Sequence, residues 1–140
     1  MTTRTLDASI PTPTTPSRIT TWVARIAQGM VVLFLIFDAS IKLLQLAPAI
    51  EGTTELGFAA GAVLPIGVIE ACCLTLYLVP RTAPIGAVLL TGYLGGATAT
   101  HVANQSPLVS HVLFPIYVAV LVWLPLYLRD ARVRRFVRAA

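Results

Sequence analysis

The stretch "WVARIAQGMVVLFLIFDASIKLLQL", residues 22–46, decides how the rest of the chain is read. It is nearly all apolar, and it is long enough to cross a bilayer. A hydrocarbon core about 30 Å thick needs about 20 residues of helix rising 1.5 Å each. Composition excludes the soluble alternative. Of 140 residues, 56% are hydrophobic and 11% charged, against roughly 25% charged in ordinary globular domains. A soluble chain of this size needs a polar coat, and the residues for one are missing. The sequence therefore predicts an all-α integral membrane protein.

Three more stretches qualify as spans: about Gly57 to Val79, Pro84 to Val102 and Val109 to Leu128. Pro48 and Gly52, Pro80 and Pro84, then Asn104 and Pro107 punctuate the breaks. Short links make consecutive helices antiparallel neighbours, which gives a four-helix bundle. The expected organisation is a disordered tail at 1–20, a four-span domain at 21–128 and a basic cytoplasmic tail at 129–140. The Thr- and Pro-rich residues 1–20 offer almost nothing to bury. They do not read as a signal peptide, because the first apolar run starts late and carries Asp38 and Lys42 ahead of the small residues Ala47–Ala49.

Arginines set the orientation. Arg4, Arg18 and Arg25 precede or open the first span, Arg81 lies between the second and third, and Arg129, Arg132, Arg134, Arg135 and Arg138 follow the fourth. The other two loops have no Lys or Arg. The positive-inside rule then predicts both termini in the cytoplasm. With the basic residues confined to the ends, the net charge of +4 does not call for nucleic acid; the expected partner is the lipid bilayer. Trp22, Tyr77, Trp123 and Tyr127 fall near inner helix ends, as an interfacial belt would have them. Val133, Phe136 and Val137 recur at helical intervals among the last arginines, so this tail either lies along the anionic leaflet or frays.

Asp38 and Lys42 are the polar anomaly of the first span. Each charge costs roughly 2.5–3.5 kcal/mol at a helix centre, and four-residue spacing lets them pair on one face turned toward the bundle interior. Gln45 extends that stripe outward. Glu70 falls near the middle of the second span, His101 in the outer half of the third, and His111 at the start of the fourth. Asp38, Lys42, Glu70, His101 and His111 thus make a candidate polar cavity open to the outside, set against a plain reading as an ion pair and interfacial histidines. No catalytic residue and no metal site is assigned. Cys72 and Cys73 are adjacent on a helix, so they point about 100° apart and read as free thiols. Gly92 with Gly96, and Gly57 with Gly61, are GxxxG pairs that predict close helix packing, within the chain or between copies in a homo-oligomer.

The runs "GVIEACCLTLYLVPRTAPIGAVLLTGYLGGATATHV" and "PLVSHVLFPIYVAVLVWLPLYLRDAR" resemble the DoxX-like family of small four-helix bacterial membrane proteins. The shared features are Glu70 in the second span, the turn "VPRTAP", a small-residue third span ending in His, and a fourth closing on Arg-Asp. The likeness covers about residues 22–133. It implies a tie to quinone or thiol redox metabolism. No cofactor motif is evident in the chain itself, so any electron transfer would be borrowed from a bound quinone or a membrane redox partner subunit. Three functions follow: a non-catalytic accessory or subunit protein, a binder or enzyme partner for a lipophilic redox molecule such as a quinone, and a small proton-coupled carrier.

Overall fold

The computed structural model describes residues 17–139, and no strand occurs among them. Six α-helices follow one another: α1 Arg18–Leu43, α2 Ala47–Glu55, α3 Val63–Leu78, α4 Ala83–Ala103, α5 Phe114–Arg129 and α6 Ala131–Ala139. A 3-10 turn, Ala60–Ala62, leads into α3, and a π-helical turn, Leu108–Val112, precedes α5. The expected disordered tail lies mostly outside the described residues. Its last part, residues 18–20, is helical, because the Ser17 side chain caps α1 by accepting from the Thr20 amide at 3.2 Å.

Helix α1 packs on α3 and α5, and α4 packs on α3 and α5, so the four long helices close a ring. Each turns inward a stripe of buried residues at helical spacing, mostly three or four residues apart. In α1 the stripe is Ala24, Ala27, Val31, Leu35 and Ala39; in α3 it is Val63, Gly67, Glu70, Leu74 and Tyr77. Helices that interleave such stripes pack nearly antiparallel. Cross-contacts fix their directions. Gln28 near the start of α1 accepts from Arg129 at the end of α5, at 2.8 Å. The Phe34 and Phe114 rings meet edge-on at 5.3 Å, joining mid-α1 to the start of α5. Arg18, Arg81 and Arg129 consequently share one end of the ring, and α2 lies at the other.

Three helical stretches are long and apolar enough to cross a membrane: Arg18–Leu43, Ala60–Leu78 and Leu108–Arg129. The outward faces are apolar throughout, with Leu33, Phe37, Val88, Val102 and Val120 exposed. A surface like this belongs in lipid. Helix α4 has 21 residues and no Asp, Glu, Lys or Arg, but its glycines and threonines dilute its apolar character.

Several expectations need correcting. Helix α1 ends at Leu43 rather than Leu46, because Gln45 turns left-handed at φ 51°; Gln45 belongs to the turn, outside the polar stripe. The link from the first span to the second is not an open loop, since Pro48 sits in the first turn of a short helix that buries Ala49 and Thr53. Tyr77 is no interfacial anchor. It is 1% exposed, and its hydroxyl donates to the Val122 carbonyl at 2.9 Å, close to the helix-loosening Pro125 of α5.

The GxxxG pairs are also not packing sites within the chain. A Cβ at Gly57, Gly61, Gly92 or Gly96 would meet nothing within 4 Å. Close approach occurs at two other glycines. A Cβ on Gly67 would stand 2.7 Å from Lys42 Cβ, and one on Gly86 would run into the backbone of Leu76 and Tyr77. Which glycine faces a neighbour depends on helix phase, and a four-residue spacing between glycines does not report phase.

Candidate functional site

The charged stripe of α1 meets α3 and α4 at one point. Lys42 Nζ lies 2.6 Å from Asp38 Oδ2, 2.8 Å from Glu70 Oε2 and 2.8 Å from Tyr93 Oη. Tyr93 in turn donates its hydroxyl hydrogen to Glu70 Oε2 at 2.8 Å. One ammonium therefore serves two carboxylates and a phenol from three helices. Gly67 makes this possible: its missing side chain lets the Lys42 stem lie against α3 one turn before Glu70. Ion pairs withdrawn from water must repay their lost hydration through geometry and further hydrogen bonds, and the three-way contact at Lys42 does so.

Burial is graded across the cluster. The Glu70 side chain is fully buried, Lys42 is 15% exposed and Asp38 28%. Glu70 Oε2 takes both hydrogen bonds, while Oε1 is buried without a partner. Buried polar atoms are nearly always paired, so this orphaned oxygen marks the least satisfied point of the interior.

Beside the cluster a cavity of about 440 Å³ opens among α1, α3, α4 and α5. Phe34, Ile66, Leu94, Phe114 and Val118 form its apolar wall, and Asp38, Lys42 and Tyr93 its charged end. Thr53 of α2 with Leu56 and Phe58 just beyond it close one side. A more polar hollow of about 500 Å³ continues toward the α2 end of the ring, lined by Asp38, Lys42, Asn104, His101 and His111.

The five residues singled out from the sequence thus fall into two groups. Asp38, Lys42 and Glu70 are joined directly. His101 and His111 meet each other, with ring centroids 5.6 Å apart, and stand at the mouth without touching the Lys42 cluster. His101 Nδ1 lies 3.2 Å from Ser106 Oγ, and His111 Nδ1 2.8 Å from Ser110 Oγ. Glu70 lines neither hollow; it braces Lys42 from behind. Among the described residues no three His, Cys, Asp or Glu side chains converge as a metal site would require. Cys72 faces outward and Cys73 inward, both as free thiols. Tyr93 is the member that sequence reasoning missed. The available signal was its depth, close to that of Lys42 and Glu70 once α4 is run antiparallel to α3.

Apolar outer faces, membrane-length helices and a charged cluster sealed among them define a small all-helical membrane protein. The family model described as the DoxX-like family matches residues 26–124, and the chain belongs to that family. No curated protein and no solved structure matches it.

Proposed function

We propose that this DoxX-like protein crosses a bacterial inner membrane four times, with both ends in the cytoplasm, and binds one lipophilic small molecule as a non-catalytic accessory protein. The cavity carries this reading. Its volume of about 440 Å³ lies within the roughly 300–1,000 Å³ usual for ligand pockets. Its wall is apolar, with a few polar groups gathered at one end, as pockets that orient amphiphilic molecules are built. Helix α4 supplies much of that lining, which supports counting it as the fourth span. The Lys42 cluster holds the helices in register and gives the cavity its polar end. The cavity constrains the ligand's size and polarity and does not single out a quinone.

The test is extraction. Protein purified in native nanodiscs should release a lipophilic compound, detected by mass spectrometry, in near-stoichiometric amount. Gly96→Leu projects a side chain at a cavity-lining position where packing leaves room, so this variant should fold and come out empty. Equal content in wild type and variant, or no compound in either, would overturn the reading.

A further inference from the structure

Taking the cavity above as a ligand site, we propose that its polar end recognises a positively charged hydrogen-bond donor, the ammonium group of a lipophilic amine, seated on Asp38. A census of donors and acceptors carries this. An ammonium has three hydrogens and no acceptor, and those of Lys42 are engaged by Asp38, Glu70 and Tyr93. The Tyr93 hydroxyl hydrogen points to Glu70. Thr53 donates to the Ala49 carbonyl at 2.7 Å and Thr100 to the Gly96 carbonyl at 2.9 Å. In the adjoining hollow the Asn104 amide donates to the Leu56 and Thr100 carbonyls, both at 3.0 Å. Lys42 therefore has no hydrogen left to give, and the hydroxyls and the Asn104 amide have placed theirs while keeping oxygen lone pairs. His101 and His111 toward the mouth can each still offer a ring N–H, according to tautomer.

The acceptors converge on Asp38. It is bound through Oδ2, and Oδ1 has no hydrogen-bond partner among the described residues. It is also the most exposed charged member of the cluster. Charge points the same way, because Asp38 and Glu70 share the single ammonium of Lys42. An ammonium beside Asp38 meets its unpaired oxygen in surroundings where Coulomb attraction is weakly screened. Beside Asp38 and Tyr93 an acceptor-only headgroup such as a quinone carbonyl would meet oxygens facing oxygens and lose its hydration without a replacement bond. Beyond the headgroup, Phe34, Phe114 and Val118 receive an alkyl or aryl body.

The experiment measures binding of four ten-carbon probes to the full chain in phosphatidylcholine nanodiscs: decylamine, 1-decanol, 2-decanone and decanoate. Gly96→Leu nanodiscs serve as the blank for partition into lipid. Decylamine should bind at least about tenfold tighter than 2-decanone, the worth of one charge-assisted hydrogen bond. Decanol should fall between them and decanoate should show the weakest binding. Asp38→Asn should erase the preference for the amine. A ketone or carboxylate binding as well as the amine overturns the donor proposal and leaves the cavity standing, as does a folded Asp38→Asn that keeps the preference. Signals from all four probes that match the Gly96→Leu blank overturn the cavity reading itself. The wild-type ranking stands whether or not Asp38→Asn folds.

Discussion

Lys42 is the keystone of the interior, and its neighbours predict an uneven mutational response. Lys42→Met leaves Asp38 and Glu70 facing each other without a cation. Breaking a buried pair in this way costs about 3–5 kcal/mol. Asp38→Asn leaves Lys42 with Glu70 and Tyr93, so a smaller loss of about 1.5–3 kcal/mol is expected, that of a hydrogen bond to a charged group. The double variant Lys42→Met/Glu70→Gln should recover much of the Lys42→Met loss, since it removes the cation and its most buried carboxylate together. Unfolding curves for the singles and the double in one detergent decide the matter. Losses that add to within about 0.5 kcal/mol would mean that the two residues do not act as a unit. Spacing made the Asp38–Lys42 pair readable, because charges within a span must find each other. Glu70 was readable as part of the same polar interior, but its direct contact with Lys42 was not. Tyr93 was not readable in the same way: a tyrosine within a span blends with the apolar and aromatic residues around it. The two histidines sit toward the α2 end of the ring, and their separation from Lys42 depends on how far the π-helical turn before α5 carries His111.

Helix contacts are governed by Gly67 and Gly86, and the open glycines supply the control. Gly67→Ala should force α1 and α3 apart at Lys42, and overpacking of this kind typically costs about 1–3 kcal/mol. Gly86→Ala should cost at least as much, because its new Cβ would meet the Tyr77 and Leu76 backbone more closely than one on Gly67 meets Lys42. Gly92→Ala meets open space, and replacing a mid-helix glycine by alanine is worth up to about 1 kcal/mol in its favour. Melting temperatures of the three variants should therefore split two against one; a uniform loss would contradict the helix phases described here. The four long helices were legible because proline and glycine mark their breaks and apolar runs of sufficient length have few alternatives. Helix α2 was not, since its nine residues are too few to propagate a helix unaided and it is held by burying Ala49 and Thr53 on its neighbours. The left-handed turns at Gln45 and Gln105 were equally silent, as glutamine is not a residue that signals positive φ.

Across the whole molecule, charge and apolar surface are sorted along one axis. The outward faces of the ring are apolar, one end gathers Arg18, Arg81 and Arg129, and the other carries Glu51 and Glu55 on α2. At the basic end the chain continues as helix α6: Arg134 donates to the Leu128 carbonyl at 2.8 Å, and Val133 is buried. Basic residues close to the ends of spans exert the strongest hold on orientation, and Arg129 closes α5 with Arg132 and Arg134 within the next five residues. An even number of crossings places both ends of the ring's chain on one side, and the antiparallel order of α1, α3, α4 and α5 supports four. Reporter fusions test the count and the direction together. Fusions after Pro48 and after Asn104 should report the periplasm, and fusions after Arg81 and at Ala140 the cytoplasm. If α4 stayed on one face of the membrane instead of crossing, the sites at Arg81 and Asn104 would report the same compartment. A periplasmic signal at Ala140 with a cytoplasmic one at Pro48 would reverse the orientation while keeping the fold. The Arg81 site separates these outcomes, because Arg81 is the only basic residue between the second and third spans. Arg81→Glu should therefore weaken the topology more than any single change among the clustered arginines after α5, read as a mixed signal at both central fusion sites.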